Sequence, residues 1–268
     1  MLRKSIQMKK SKNWQLPKFQ IYSLDKKKND YCIGIPIINE GDRFKKQLQK
    51  MQKYAGLVDI IIFDGGSTDG STDLAFLKKM GVKTLLVKKS PGKQGTQLRM
   101  GFAYALNKGY KGIITIDGNN KDGVDAIPKF LEMLEKGYDF VQGSRYVNGG
   151  KAINTPHLRH LGNHFLLAPL FSFAAKCRFT DVTNGFRAYS RRLLLDPRVK
   201  PFRDIFVGYE FIFYLGIRAA QLKMNVVEIP VLRKYPSNGK IPTKITGISA
   251  LWKVLVTGVR SAYGYYNP

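Results

Sequence analysis

The chain has 268 residues and a formal net charge of +26, from 45 Lys or Arg against 19 Asp or Glu. Its length suits one α/β domain, and its longest apolar stretches, residues 165–175 and 250–256, are too short for a membrane-spanning helix. The charge is compatible with an anionic membrane surface as partner or with a Lys-rich proteome, whereas the lack of a recognisable binding module argues against nucleic acid.

Both ends of the chain are basic. Residues 1–30 contain nine Lys or Arg and two Asp, and no acidic residue follows Glu228. We therefore predict a basic tail over residues 1–30, one globular domain over residues 31–232, and a basic loop with an amphipathic helix over residues 233–268. That helix suits a membrane surface, although packing on the domain or on a second subunit is the commoner role of such helices.

The compartment is indicated by the N-terminus and by the cysteines. The first residues lack the apolar segment of a signal peptide. Cys32 and Cys177 are far apart and have no metal-ligand spacing, which is typical of reduced thiols in a cytosolic protein. We expect a cytoplasmic protein that attaches peripherally to the inner face of the membrane.

Three apolar segments, residues 31–38, 58–63 and 112–116, each run into polar or acidic residues and then into an amphipathic helical pattern. Apolar runs bounded by turn residues are typical of strands buried on both faces of a parallel sheet. Open α/β sheets bind ligands at the carboxyl ends of such strands. The sequence therefore predicts an α/β fold, a mainly parallel sheet flanked by helices, with a ligand site at one edge.

The third segment ends in Asp117-Gly118-Asn119. The i, i+2 spacing across a glycine turn allows both side-chain oxygens to face one site, and oxygen ligands of this kind suit Mg²⁺ together with substrate phosphates. The chain contains neither a GxxxxGK[ST] loop nor a GxGxxG after its first strand, which argues against P-loop and dinucleotide-binding proteins. The three histidines have no thiolate or carboxylate at ligand spacing, so we predict surface or packing roles for them.

Five motifs in order, IPIINEGDRF, IIIFDGGSTDGSTD, TIDGNNKDG, VQGSRYVNGG and DVTNGFRAYSRRLL, resemble the family 2 glycosyltransferases of GT-A fold. The resemblance runs from about residue 31 to residue 232 and is strongest to the branch typified by dolichyl-phosphate mannose synthases. It implies an inverting glycosyltransferase that uses a nucleotide-diphosphate sugar and a divalent cation, Mg²⁺ or Mn²⁺.

The resemblance also assigns a nucleotide-sugar pocket. The matching positions are Pro36, Asn39, Glu40, Asp64 and Asp117. Asp64 matches the first acid of the base-binding pair, and Asp117 matches the first acid of the Asp-X-Asp metal motif.

Two positions depart from the family pattern. Gly65 stands where the second acid of the base-binding pair is usual, which leaves the nucleobase open. Asn119 replaces the second acid of Asp-X-Asp, so Asp117 and Asn119 form a less charged metal site in which the donor phosphates contribute more. Asp122 is a candidate to compensate for this loss or to act on the acceptor.

The acceptor side is predicted from basic residues. By resemblance, Arg145 and Arg187 occupy phosphate-contacting positions, with Arg145 joining Asp117 and Asp122 as the catalytic candidates. The acceptor or phosphate candidates in full are Arg145, Arg187, Arg233, Lys240 and Lys244, the last three in a segment that loosely resembles the basic loop of the mannose synthases and could close over phosphates.

The type of acceptor determines whether the reaction needs a general base. A lipid phosphate is largely ionised at neutral pH because its second pKa is about 6, so it needs no base. A sugar hydroxyl would need one, and Asp122 or Glu210 would then be the candidates.

Three functions follow from these residues. The leading hypothesis is transfer of a sugar from a nucleotide-diphosphate donor to a polyprenyl-phosphate or related lipid-linked acceptor. The alternatives are a transferase acting on a glycan hydroxyl, in polysaccharide or surface-glycan synthesis, and a non-catalytic binding protein on a degenerate scaffold. A homo-oligomer is also possible in each case.

Overall fold

The computed structural model describes residues 13–237 and 248–268, and of residues 248–251 it describes the backbone alone. The strands in this part of the chain are β1 (Phe19–Ser23), β2 (Tyr31–Ile37), β3 (Asp59–Asp64), β4 (Val82–Lys88), β5 (Gly112–Thr115), β6 (Phe140–Ser144), β7 (Lys151–Ile153), β8 (Arg187–Ser190), β9 (Val226–Pro230) and β10 (Leu232–Lys234). The helices are α1 (Gly41–Met51), α2 (Leu74–Lys79), α3 (Gln94–Asn107), α4 (Ile127–Glu135), α5 (His157–Leu161), α6 (Ala168–Ala175), α7 (Arg191–Leu195), α8 (Glu210–Gln221) and α9 (Ile248–Ala262). Short 3₁₀ turns lie at Gln52–Tyr54 and Val124–Ala126, and a π-helical turn, Gly162–Leu167, joins α5 to α6.

Among the described residues, eight strands form one sheet in the order β1-β4-β3-β2-β5-β8-β6-β9. Strands β4, β3, β2 and β5 are parallel to one another, as are β6 and β9, while β1 and β8 run antiparallel to their neighbours. A second sheet pairs β10 with β7 in parallel. The predicted α/β fold with a mainly parallel central sheet is confirmed.

Side chains of the central strands alternate between two apolar layers, because successive residues of a strand point to opposite faces. In β3, Ile61 and Phe63 pack with Phe102 of α3 on one side. Ile60 and Ile62 pack with helices α1, α2 and α4 on the other side. Burial on both faces explains why this strand reads as a continuous apolar run.

The sheet begins before the predicted domain boundary at residue 31. Phe19–Ser23 form the edge strand β1 along β4, and the Trp14 ring lies 4.1 Å from the ring of Phe202. Residues 14–23 of the predicted tail therefore belong to the domain core, and residues 1–12 lie outside the described part of the chain. The sequence did not predict this strand because basic residues flank it on both sides.

A gap in the hydrogen bonding separates the ends of β2 and β5. Pairing of the two strands ends at Gly34 and Thr115, and the next bond runs from the Ile116 amide to the Gly34 carbonyl, 3.3 Å. Pro36 lies just beyond this point, where its missing amide hydrogen costs no sheet hydrogen bond. Strand β5 turns away here and places Asp117 in the gap.

Helix α9 packs on the domain through Gly258, whose position would bring a Cβ atom within 3.2 Å of Leu167 and Phe171. Its opposite face leaves Trp252 and Val259 exposed. No helix among the described residues has both the length and the apolar character needed to cross a bilayer.

Candidate active site

The carboxyl ends of β2, β3 and β5 meet at one edge of the sheet, as the sequence predicts. The loop after β2 is tied to the loop after β3 by Asn39, whose Oδ1 accepts from the Thr68 amide at 2.8 Å and whose own amide donates to Ser67 Oγ at 3.0 Å. Asn39 has a positive φ of 51°, which asparagine tolerates better than most residues. These contacts give Asn39 a role in shaping the pocket wall.

Asp64 organises the turn after β3. Its carboxylate is 1% exposed and accepts from the Gly66 amide at 2.8 Å, the Ser67 amide at 3.0 Å and Ser67 Oγ at 2.5 Å. Because these local donors engage both oxygens, Asp64 does not face the pocket as the predicted base-recognising carboxylate. It fixes the backbone of Gly66 and Ser67 after β3.

Gly65, the first departure from the family pattern, has little space around it. A Cβ atom built there would lie 3.0 Å from Gln97 Nε2, which donates to the carbonyls of Ile37 and Phe63 at 2.7 and 2.9 Å. Gln97 thus fills the place beside the strand ends. Glu40 lies nearby at the start of α1 and pairs with Arg43 at 3.2 Å.

Asp117 and Asn119 lie together in the gap beyond β5. Although burial raises the pKa of Asp117, the charges of Arg233 and Lys121 bring it below its ordinary value, so the carboxylate is ionised at neutral pH. Asn119 Oδ1 is buried and has no hydrogen-bond partner among the described residues. An ionised carboxylate beside an unpartnered amide oxygen is a donor set that suits Mg²⁺ or Mn²⁺.

A metal held tightly here would need the donor's phosphates as further ligands. Within residues 13–237 and 248–268, no group of three or more His, Cys, Asp or Glu side chains is placed to hold a metal ion. The paired oxygens of Asp117 and Asn119 therefore fit a cation that arrives with a nucleotide, and they fit a permanent structural metal poorly.

The lack of a side chain at Gly185 leaves room for this carboxylate. A Cβ atom at Gly185 would lie 2.7 Å from Asp117 Oδ1. We expect Gly185→Ala to displace the carboxylate and to lower turnover about 100-fold with little change in thermal stability. Steady-state kinetics and thermal unfolding measure the two effects, with Gly56→Ala as control because nothing lies within 4 Å of its Cβ position. Unchanged turnover in Gly185→Ala would show that Asp117 does not need this room.

Arg233 of β10 bridges two carboxylates. Its Nη2 donates to Asp117 Oδ2 at 3.0 Å, and its Nη1 donates to Asp122 Oδ1 and Oδ2 at 2.8 and 2.7 Å. Although burial disfavours the charged guanidinium, Asp122 and Asp117 raise the pKa of Arg233 well above its ordinary value. The Asp122 side chain is 0% exposed and fully engaged, so it is not placed as the general base that the sequence allowed.

A cluster of cations surrounds Tyr235, beside Asp117. The Tyr235 ring lies 4.9 Å from Lys121 Nζ and 5.7 Å from each of the Arg159 and Arg233 guanidinium carbons, and Arg159 Nη1 donates to the Tyr235 hydroxyl at 2.9 Å. Burial would raise the pKa of Tyr235, yet these cations and Arg145 lower it. We call Lys121, Arg159, Arg233 and Tyr235 the cationic cluster.

Burial leaves the ammonium group of Lys121 poorly solvated. Burial and the charge of Arg233 lower the pKa of Lys121 to about 8. A buried ammonium whose pKa falls in this way gains most from a nearby anion. The cationic cluster is therefore suited to bind a phosphate.

Arg145 has a different role from the predicted phosphate contact. Its side chain is 1% exposed, and its Nε and Nη2 donate to the two oxygens of Asp181 at 2.6 and 2.8 Å, with a further bond to Thr183 Oγ1 at 2.7 Å. This bidentate pair holds the loop after Asp181 against the end of β6. Arg145 contributes its charge to the cationic cluster through space but not its hydrogen bonds.

Arg187 is a structural residue, contrary to the predicted phosphate contact. Its Nε and Nη2 donate to the carbonyls of Asn184 and Val182 at 2.8 and 2.7 Å, and its Nη1 donates to the carbonyl of Ile212. Every guanidinium nitrogen is thus engaged by main-chain oxygen, which braces α8 against the loop before β8.

Three predicted residues remain, namely Glu210, Lys240 and Lys244. Oε1 of Glu210 accepts from the amides of Val207 and Gly208, which holds the carboxylate at the turn before α8. Lys240 and Lys244 lie outside the described residues.

Sequence reasoning missed three residues of the site: Lys121, Arg159 and Gly185. Lys121 and Gly185 lie inside the motifs TIDGNNKDG and DVTNGFRAYSRRLL, and that position was the signal that could have found them. Arg159 lies in a short helix without any motif, and only the fold brings it to Tyr235.

Comparison with known sequences identifies the family. The profile of Glycosyl transferase family 2 matches residues 32–196, which hold the three strand ends and Asp117. The chain belongs to glycosyl transferase family 2. It is therefore a glycosyltransferase, and the resemblance stated from its motifs is confirmed.

Several characterised relatives share most of their length with this glycosyltransferase. Polyprenol monophosphomannose synthase of Mycolicibacterium smegmatis is 28% identical over 85% of this chain and 86% of the relative. Undecaprenyl-phosphate mannosyltransferase of Micrococcus luteus is 28% identical over 74% of this chain and 80% of the relative. Dolichyl-phosphate hexose transferase of Haloferax volcanii is 29% identical over 76% of this chain and 82% of the relative.

Solved structures show the same fold. Glucosyl-3-phosphoglycerate synthase from Mycobacterium tuberculosis, in complex with Mn²⁺, uridine diphosphate and phosphoglyceric acid, superposes with a TM-score of 0.62 at 16% identity, over 87% of this chain and 78% of that one. The glycosyltransferase thus adopts the GT-A fold predicted from its motifs.

Proposed function

We propose that this glycosyltransferase moves a sugar, with inversion, from a nucleoside-diphosphate donor to the phosphate of a polyprenyl phosphate. The observation that carries the proposal is the cationic cluster beside Asp117. Lys121 and Arg233 are 4% exposed, so their charges are concentrated where a small anion would be desolvated. The relatives named for polyprenol, undecaprenyl and dolichyl phosphates support the same acceptor class.

The donor half of the site would hold the nucleotide between the loops after β2 and β3 and the gap at Asp117. Asp117 and Asn119 would hold Mg²⁺ or Mn²⁺ with the donor phosphates. When bound, the cation supplies neutralisation of the negative charge that develops on the leaving nucleoside diphosphate. The Asp64 turn keeps the nucleoside-binding backbone in place.

The acceptor half favours a phosphate over a sugar hydroxyl. Both carboxylates considered as general bases are engaged, Asp122 by Arg233 and Glu210 by its own helix start. A phosphate needs no base, because it is already ionised at neutral pH. Arg159 and Lys121 would align its oxygen with the anomeric carbon, so the residues act by binding and orientation.

An exposed apolar stripe extends from the acceptor half. Along α5, the π-helical turn and α6, four side chains at helical spacing are strongly exposed: Leu158 (72%), Leu161 (48%), Phe165 (71%) and Phe173 (82%). Arg159, which bonds Tyr235, lies between the first two. The stripe therefore starts at the cationic cluster.

The charge around the stripe suits an anionic bilayer. Residues 157–178 and 248–268 contain no Asp or Glu. On α9, which packs against the π-helical turn and α6, exposed Trp252 and Val259 alternate with exposed Lys253 and Arg260. Aromatic and basic side chains on one surface are typical of interfacial helices. We propose that this surface holds the enzyme at the cytoplasmic face of the membrane, where its free thiols suit a reducing compartment.

The proposed function is tested by one transfer assay. Purified enzyme is given radiolabelled nucleotide sugars of several bases and sugars, Mn²⁺ or Mg²⁺, and vesicles containing polyprenyl phosphate. Label is expected in an organic-extractable lipid that mild acid hydrolyses, as a glycosyl phosphate should be. Label found only in water-soluble glycan would overturn the proposed acceptor, and no transfer from any donor would favour a binding protein.

A further inference from the structure

Arg233 links the two halves of the site through its two terminal nitrogens. Nη2 lies 3.0 Å from Asp117 Oδ2, on the donor side, while Nη1 lies 2.7 and 2.8 Å from the oxygens of Asp122. The Arg233 side chain is only 5% exposed. The buried guanidinium of Arg233 thus pairs with Asp117, the carboxylate that is assigned to the metal.

The two oxygens of Asp117 are not equivalent. Oδ1 faces Gly185, where a Cβ atom would lie 2.7 Å away, and receives a long contact of 3.4 Å from Gln94 Nε2. Oδ2 receives Arg233 Nη2. Because the carboxylate carries a single negative charge, a cation that binds either oxygen of Asp117 competes with Arg233 for that charge.

We propose that Arg233 acts as an exchangeable counter-ion, which pairs with Asp117 in the empty enzyme and turns Nη2 to the acceptor phosphate once metal and donor are bound. The donor complex would then bind before the acceptor. The acceptor half of this inference rests on the proposed function, whereas the competition at Asp117 does not.

Asp122 is the anchor that keeps Arg233 in place during the exchange. Both Asp122 oxygens accept from Nη1, and the neighbouring backbone is fixed by bonds from Gly123 N to Leu232 O and from Lys234 N to Lys121 O, each 2.8 Å. Breaking the Asp117 contact therefore frees Nη2 alone. This gives buried Asp122 a positioning role in place of the predicted base.

Release of Nη2 makes the acceptor half of the site more positive. With Asp117 committed to the metal, the charge of Arg233 is no longer shared with that carboxylate and adds to those of Lys121 and Arg159 around Tyr235. Metal–donor binding should then strengthen phosphate binding. Because coupling between two ligands is reciprocal, phosphate should strengthen metal–donor binding by the same factor.

The first test measures Mn²⁺ binding without nucleotide, from the electron paramagnetic resonance signal of free Mn²⁺. Arg233→Met is expected to bind Mn²⁺ at least about fivefold more tightly than the native enzyme, because Asp117 has lost its competitor. Since this variant leaves Asp122 without its cation, the double variant Arg233→Met/Asp122→Asn is measured in parallel. Equal or weaker Mn²⁺ affinity in the folded variants would overturn the competition.

The second test measures binding of farnesyl phosphate, a short acceptor analogue, by calorimetry with and without Mn²⁺ and a nucleoside diphosphate. Both UDP and GDP are used. The native enzyme is expected to bind farnesyl phosphate at least about tenfold more tightly when Mn²⁺ and a nucleoside diphosphate are present. Arg233→Met should lose this enhancement. An equal affinity in both conditions would contradict the ordered exchange.

The two tests separate the inference from the function on which it rests. Tighter Mn²⁺ binding by Arg233→Met, with no binding of farnesyl phosphate under any condition, would support competition at Asp117 and overturn the phosphate acceptor. Transfer to polyprenyl phosphate with unchanged Mn²⁺ affinity would support the proposed function and overturn the role of Arg233 as counter-ion.

Discussion

Asp117→Asn is expected to lower kcat/KM for sugar transfer by about a thousandfold, corresponding to ~4 kcal/mol of transition-state stabilisation. The side chain keeps its shape but loses the charge that would hold the metal with the donor phosphates. The fold should persist because Arg233 remains paired with Asp122. Steady-state kinetics at saturating Mn²⁺ and a thermal unfolding curve would measure the two effects.

The matched control for this variant is Asp125→Asn. Asp125 lies only eight residues further on, but its side chain is 76% exposed and pairs with Lys53 on the surface at 2.7 Å. An exposed pair of this kind contributes about 0–1 kcal/mol to stability, so this variant should behave as the native enzyme. If Asp117→Asn retained more than a tenth of native activity, the metal would have to be bound elsewhere.

Removal of the apolar stripe should separate membrane binding from catalysis. Phe165→Ser together with Phe173→Ser is expected to weaken binding to anionic vesicles by about 100-fold or more, since burying one Phe side chain contributes ~1.5–3 kcal/mol. Both rings are now more than two-thirds exposed, so their loss leaves the core intact. Vesicle sedimentation measures binding, and KM for vesicle-borne acceptor should rise in parallel.

Two comparisons make this result specific. Turnover of farnesyl phosphate in solution should stay within about twofold of native, because the site itself is unchanged. Leu57→Ser with Leu195→Ser removes two exposed apolar side chains from other elements and should leave vesicle binding unchanged. Native vesicle binding by the Phe165 and Phe173 variant, with loss of a dimer in sedimentation, would instead assign the stripe to a second copy of the chain.

The fold and the donor half were largely predictable from the sequence. Buried parallel strands must be apolar throughout, and their ends must carry the polar residues that face a ligand, so Asp64 and Asp117 were located correctly at one sheet edge. The role of Asp64 was harder to predict. Only the structure shows that the Gly66 and Ser67 amides use its oxygens.

The arginines show where sequence reasoning failed. A guanidinium can bind a phosphate, a carboxylate or main-chain carbonyls, and no local pattern separates these uses. Arg145 pairs with Asp181 and Arg187 with three carbonyls because long-range folding brings those oxygens together. Arg159 illustrates the reverse case, since helix α5 carries it to Tyr235 from a segment without any motif.

The central claim, that a lipid phosphate accepts the sugar without a general base, is tested most directly by comparing two acceptors of one chain length. Polyprenyl phosphate and the corresponding polyprenol are placed in identical vesicles with labelled donor and Mn²⁺. We predict transfer to the phosphate, with transfer to the alcohol below about a thousandth of that rate, because the cationic cluster has no anion to bind and no base is placed to take the hydroxyl proton. Comparable transfer to the alcohol would contradict this account.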